Sequence, residues 1–326
     1  MQFIAIIADA VRLLRAKALF WITLGISAFA AFIYLSIGFD DQGITILFGL
    51  SSIENEYIRA GTPLAEIFYV GIFTTFIVNV WLSWIAIILA LITCAPIFPS
   101  FMTEGSAGAV LCKPISRLKL FLYKYLAGLL FAVLQTSVFC LIVFFAIRFR
   151  IGTWNPTIFW AIPLITLMFS YLWSVMVVVG IRTRSTMAAV LVSIFVWFLA
   201  WGSAVTEEYT WTSAERGVEP TSNMPLSKAE QTRWKNRYPA YSIPYKILPK
   251  TSDTVDLMQR MIRVEGDQPF SVTTFLSAIM GQTPQHDQEA EDQLQRHSAT
   301  FIIGSSLAFE LGLLSFAAWS FCRRDF

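Results

Sequence analysis

The chain has 326 residues, of which 56% are hydrophobic and only 14% charged, with a mean hydropathy of +0.61. A soluble globular domain carries roughly 25% charged residues, so this composition excludes one and marks an integral membrane protein. The net charge of +2 comes with no dense basic run, which argues against a nucleic-acid partner. Of the four cysteines, Cys94 and Cys140 fall in apolar runs and Cys112 and Cys322 beside cationic segments, so no disulfide framework is implied.

Residues 1–18 read as an amphipathic helix. Phe3, Ile4, Ile7, Val11 and Leu14 share one stripe, with Asp9, Arg12 and Arg15 elsewhere, a pattern that suits a helix lying flat at a membrane interface. A hydrocarbon core of about 30 Å takes about 20 apolar residues as a helix. Six stretches qualify: Leu19–Gly38, Ile67–Pro96, Phe121–Ile147, Ile158–Gly180, Met187–Ser203 and Thr300–Phe321. The first is read as a span and not as a signal peptide cleaved at Ala28-Phe29-Ala30, because its apolar run continues to Ile37. The second exceeds an upright span, and is predicted to tilt or to extend beyond the bilayer at its Pro63–Glu66 end. Trp154, Trp160, Trp197 and Trp201 near one boundary, and Trp21 and Trp319 near the other, resemble aromatic belts. Trp81 and Trp84 lie deeper and are expected to pack between helices.

The loop Phe39–Pro63 is acidic, with Asp40, Asp41, Glu54 and Glu56. The segment 206–297, between spans five and six, carries helix signals. Ser227 and Glu230 form a capping-box pattern, and Thr251-Ser252-Asp253 precedes a stripe of Val255, Met258, Met261 and Ile262. Phe275–Met280 is apolar but too short to span, and from Gln288 no breaker interrupts the pattern into the last span. The expected fold is therefore an all-α integral membrane protein. An interfacial helix (1–18) precedes five spans (19–205). A large, mainly helical segment (206–297) follows, and the last span with its short tail (298–326) closes the chain.

Six spans put both termini on one side. Loops on that side carry eleven cations (Arg12, Arg15, Lys17, Lys113, Arg117, Lys119, Lys124, Arg182, Arg184, Arg323 and Arg324) against Asp9, Glu104 and Asp325. The opposite face has thirteen cations and eighteen acids. The excess of cations near span ends makes the terminus side cytoplasmic, with the long segment extracytoplasmic. Arg148 and Arg150 are the exceptions.

No phosphate-binding loop, H-E-x-x-H or G-x-S-x-G motif occurs, so the chain is not expected to be an enzyme. His286 and His297 lack the closely spaced partners of a metal site, and read as part of a solvated polar helix. Glu310 stands out because it lies mid-span, where an ionised carboxylate costs several kcal/mol. It has to meet other helices or water, with Asn79 and Gln135 as candidate neighbours, serving either a substrate or proton pathway or an inter-helix hydrogen bond.

The remaining signal is the cationic bridge between spans two and three, residues 98–120. It reads Glu104-Gly105-Ser106, then an apolar run to Leu111, then Lys113-Pro114-Ile115-Ser116-Arg117, with Lys124 shortly before Gly128. In this order the bridge resembles that of permease subunits of type 2 ABC exporters, including those linked to multi-copper enzyme maturation. Those carry an acidic residue, a Gly-Thr-like pair (Gly-Ser here), an apolar run and a "KPISR"-like motif. The short turn Gly180–Thr186 and the six-span plan are similar too. The resemblance implies that the bridge is a coupling helix docking on a separate ATPase subunit, which alone binds ATP and Mg. It also implies a second permease chain as partner and the cell (inner) membrane as location. On charge alone, these cations could instead sit at lipid headgroups. The expected function is ATP-coupled export of a substrate the sequence does not specify. The alternatives are a proton-coupled secondary transporter or channel using Glu310, or an ABC-linked mechanotransmission or assembly component.

Overall fold

The computed structural model describes residues 18–54, 58–102, 116–222, 224–262 and 296–323. Residues 1–17 of the expected interfacial helix (1–18) lie outside them. So does most of the bridge, with Glu104, Gly105, Ser106, Leu111, Lys113, Pro114 and Ile115, and so do Phe275–Met280 and His286. The described chain runs through α1 (Ala18–Leu35) and a small meander of β1 (Gly38–Asp40), β2 (Gly43–Ile46) and β3 (Ser51–Glu54). Next come α2 (Pro63–Ile72), a wide-wound stretch (Phe73–Ala86), α3 (Ile87–Cys94) and the short α4 (Ile97–Phe101). Then follow α5 (Arg117–Ile151), α6 (Ala161–Thr183), α7 (Thr186–Trp211), α8 (Lys228–Ile247), α9 (Thr251–Met261) and α10 (Ala299–Cys322). Among the described residues six helical runs are long and apolar enough to cross a membrane, and each contains most of one of the six stretches marked above.

The bundle is organised around α6. Its apolar window is 78% buried, against 22% for α10 and 28% for α7. It lies inside, and the others present lipid-facing surfaces. Where α5 crosses α6, Gly128 lets Trp173 approach. A Cβ at Gly128 would stand 2.7 Å from the indole Cε2. The indole Nε1 donates to the Tyr125 carbonyl at 3.2 Å, and its ring lies nearly parallel to those of Tyr125 and Phe169. A second aromatic joint holds the second span to α7. Trp84 stacks on Trp197 with centroids 4.6 Å apart, so Trp197 belongs to the core and not to an aromatic belt. Trp154 and Trp160 remain exposed.

The second span starts at Pro63, where Thr62 caps the helix by accepting from the Ala65 N–H. Its surplus length is partly absorbed by the wide winding of Phe73–Ala86, which fits more residues into each turn. The Ser83 hydroxyl donates to the carbonyl five residues back, that of Val78, at 2.6 Å. Two other expectations change. The loop after α1, read from the sequence only as acidic within an all-α fold, forms an antiparallel sheet of order β1-β2-β3, with Phe39 paired to Ile44 and Ile44 to Ile53. The last span does not grow out of a continuous upstream helix. It starts afresh at Ser298, whose extended backbone and side chain, accepting from the Phe301 N–H, form an N-cap.

In the long segment both helix signals are realised. Ser227 and Glu230 form a reciprocal capping box on α8, and α9 buries Val255 and Met258, with Ile262 just beyond. Arg148 and Arg150, two of the cations assigned to the opposite face, sit in the last turn of α5, where positive charge is favourable. Arg148 bonds the Gly152 carbonyl and covers the Trp154 ring. Arg150 donates Nε–H to the Leu35 carbonyl at 3.0 Å. Both are engaged in capping and packing, which explains their place on that face.

Replacing Gly128 with alanine should force α5 from α6 or displace Trp173. Overpacking of this kind costs about 1–3 kcal/mol. The thermal midpoint of the detergent-solubilised protein should therefore fall, and an unchanged midpoint would contradict the close approach.

Candidate functional site

At the end of the bundle where α1 begins and α10 finishes, the described chain resumes at the last residues of the bridge. Ser116 is the N-cap of α5 and accepts from the Lys119 N–H at 3.4 Å. Arg117 donates Nη1–H to the carbonyl of Cys322, the last residue of α10, at 3.1 Å. About two turns further on, the Lys124 ammonium lies 4.2 Å from the centroid of Phe101, the last residue of α4. Phe98, Phe101, Phe121 and Phe321 pack as one aromatic group beneath. The exit of the second span, the entry of the third and the end of the sixth are thus tied together where the bridge joins them. Arg182 and Arg323 on the same end lie over Phe316 and Trp319, so much of this cationic surface rests on aromatic rings.

Tyr125 follows about 12 Å along the helix axis from Arg117. Its hydroxyl donates to Glu310 Oε1, and the Ser170 hydroxyl donates to Glu310 Oε2 at 2.8 Å. The buried carboxylate therefore joins α5, α6 and α10, with a donor on each oxygen. Neither expected neighbour meets it. Gln135 donates its amide to Ser27 Oγ at 3.1 Å and to the Ala86 carbonyl at 3.2 Å, linking α5 to α1 and to the wide stretch. Its buried Oε1 has no hydrogen-bond donor. Asn79 is half-buried in that wide stretch. Of the three intramembrane polar residues singled out from sequence, Glu310 joins α5, α6 and α10, while Gln135 joins α5, α1 and the second span. Tyr125 and Ser170 were not singled out by sequence, because Tyr and Ser are unremarkable inside a span. The partner of Tyr125 is 185 residues away.

At the opposite end a second polar group links α7, α8, α9 and α10. Glu207 pairs with Arg296 and accepts from the Tyr238 hydroxyl at 2.7 Å. The Tyr245 hydroxyl donates to Asp253 Oδ2 at 3.0 Å. The Lys250 ammonium is buried, donating to the Tyr245 and Leu248 carbonyls, while its backbone N–H donates to Ser306 Oγ on α10. Burial pushes Lys250 down to about 8 against the opposing pull of Asp253 and Glu207. Burial pushes Asp256 up to about 7, reinforced by Asp253 and Glu208. His297 is not on a solvated polar helix, because its ring packs between those of Tyr245 and Phe301, at 5.5 Å from each. Every described cation in this group has a hydrogen-bonding partner or a ring, so it reads as a clasp for the long segment.

No protein-family model, curated protein or solved structure matches the chain significantly.

Removing the Glu310 carboxylate tests the three-helix junction. Glu310→Ala leaves the buried Tyr125 hydroxyl only the long contact to the Ser170 carbonyl at 3.5 Å and should cost about 1–3 kcal/mol, read as a lower melting point in detergent. Glu310→Gln keeps an acceptor and should recover most of the loss. Equal melting points for both variants and the parent would contradict the role as a joint.

Proposed function

We propose that this chain is the membrane permease subunit of an ABC-type exporter, working as a pair of permease chains with separate ATPase subunits. The observation that carries the reading is the residue order of the bridge, from Glu104 through Lys113-Pro114-Ile115-Ser116-Arg117 to Lys124, set between two spans of a six-span chain. The cationic excess on that side supports a cytoplasmic position, within reach of an ATPase.

The geometry next to the bridge supports a way of passing motion on. In this reading, ATP-driven closure of the ATPases displaces the bridges. Each bridge runs directly into Ser116 and α5, a helix of 35 residues, roughly 50 Å at 1.5 Å per residue. A force on its first turn acts on α10 through Arg117 and Cys322, and on α4 through Lys124 and Phe101. It reaches the middle of the bundle through Tyr125 and Glu310. Such a shaft can bias two arrangements of the bundle with different access, as transport requires.

The second reading, a proton-coupled transporter, draws on the burial of Glu310 in a span. The two readings separate cleanly. In the exporter, Lys113→Glu combined with Arg117→Glu should leave the complex assembled but reduce coupling of ATP hydrolysis to transport at least tenfold, and Glu310→Gln should act mainly on stability. Co-expression with neighbouring reading frames should retain an ATPase on purification. Transport without nucleotide, abolished by Glu310→Gln, would favour the second reading instead.

A further inference from the structure

The β meander after α1 has two turns of opposite chemistry. The β1–β2 turn is Asp40-Asp41-Gln42-Gly43, polar and acidic, and the strand beside it ends in Glu54. The segment joining β2 to β3 is Leu47-Phe48-Gly49-Leu50, wholly apolar. Tight turns that need positive φ normally use Asn, Asp or Gly. Here Leu47 and Phe48 take φ of 52° and 58°, next to Gly49 at 94°. Bulky side chains are rare in that region, and the fold leaves about half or more of each of them exposed. Leu50 is 87% exposed, Leu47 53% and Phe48 54%.

The apolar turn is fixed at a definite level. The Phe48 N–H donates to the Ser36 carbonyl, one residue beyond the end of α1, at 3.0 Å. The Phe48 ring packs 5.3 Å from that of Phe32, almost one turn inside the span, and the Arg150 guanidinium covers it from the other side. Phe32, Ile33 and Phe29 are themselves exposed on α1, a lipid-facing stripe in a helix of spanning length. The turn therefore continues that surface outward. Four residues of strand, about 13 Å, separate it from the acidic turn, so the meander is apolar at the bundle end and anionic at the far end. The outer edge of β3 has no strand partner among the described residues, and unpaired backbone groups exclude it from the hydrocarbon core. These facts together set a shallow depth.

We infer that the Leu47–Leu50 turn inserts into the boundary between headgroups and acyl chains of the adjoining leaflet, making the meander a membrane-contacting element with phospholipid as its partner. Leu47, Phe48 and Leu50 are the inserted side chains. Arg150 sits at headgroup level, and Asp40, Asp41 and Glu54 stand in water.

The test places nitroxide labels on Leu50→Cys, Asp41→Cys and Phe29→Cys in a chain whose four native cysteines are alanine, reconstituted in phospholipid nanodiscs. Collision with oxygen and with a water-soluble nickel chelate is then measured. The label at position 50 should resemble the one at position 29, favouring oxygen over the chelate by several-fold, and the label at position 41 should show the reverse. Free access of the chelate to position 50 would place the turn in water, and protection from both reagents would place it against protein, such as a second copy. Either result overturns the inference. A benzoylphenylalanine photo-crosslinker at position 50, in the chain with its cysteines intact, gives an independent readout. A phospholipid adduct is expected, and a crosslinked protein dimer without one would refute the proposal.

Discussion

A carboxylate among apolar helices has to be satisfied where it stands, and in this bundle that requirement fixes how three spans meet. Glu310 on α10 takes one hydrogen bond from Tyr125 on α5 and one from Ser170 on α6. Close by, the Trp173 indole bonds the Tyr125 carbonyl and fills the space left by Gly128. Dispersion and small-residue packing hold membrane helices together only weakly and without much direction. A directed polar junction supplies register. It sets the axial position of α5 against the other two helices, and the aromatic packing around it follows.

The same helix connects the two ends of the molecule. Its first turn joins the bridge, its third turn holds the Glu310 junction, and its last turn carries Arg148 and Arg150 against the Gly152 and Leu35 carbonyls. At that last turn the Arg150 guanidinium also covers Phe48 of the meander. One helix therefore touches the end where the bridge enters, the core and the β meander in succession. The polar clasp around Glu207, Arg296 and Lys250 ties the long segment to α7 and α10.

The spans were legible in the sequence because length and apolarity are one-dimensional properties, and six runs reach the length a bilayer demands. The capping box at Ser227 and the stripe of α9 were legible for a similar reason, since each lies within a few residues. What could not be read was which faces meet. Glu310 was recognised as a residue needing partners, but its partners are on helices 140 and 185 residues away, and Tyr and Ser give no signal inside a span. Gln135 was equally conspicuous and turned out to serve a different contact, between α5, α1 and the wide stretch. The meander escaped notice because its strands have three or four residues and its apolar turn lacks the usual Asn or Gly pair. Trp197 looked like a boundary residue from its neighbours, yet its partner Trp84 draws it into the core.

The account rests on the start of α5 facing the compartment that holds ATP. The most direct measurement is thiol labelling of Ser116→Cys, with Cys112 and Cys322 replaced by alanine, using a membrane-impermeant maleimide. No labelling in intact cells and full labelling after permeabilisation is the predicted result. Labelling of intact cells would put the bridge on the outside, beyond the reach of any ATPase, and would contradict the account.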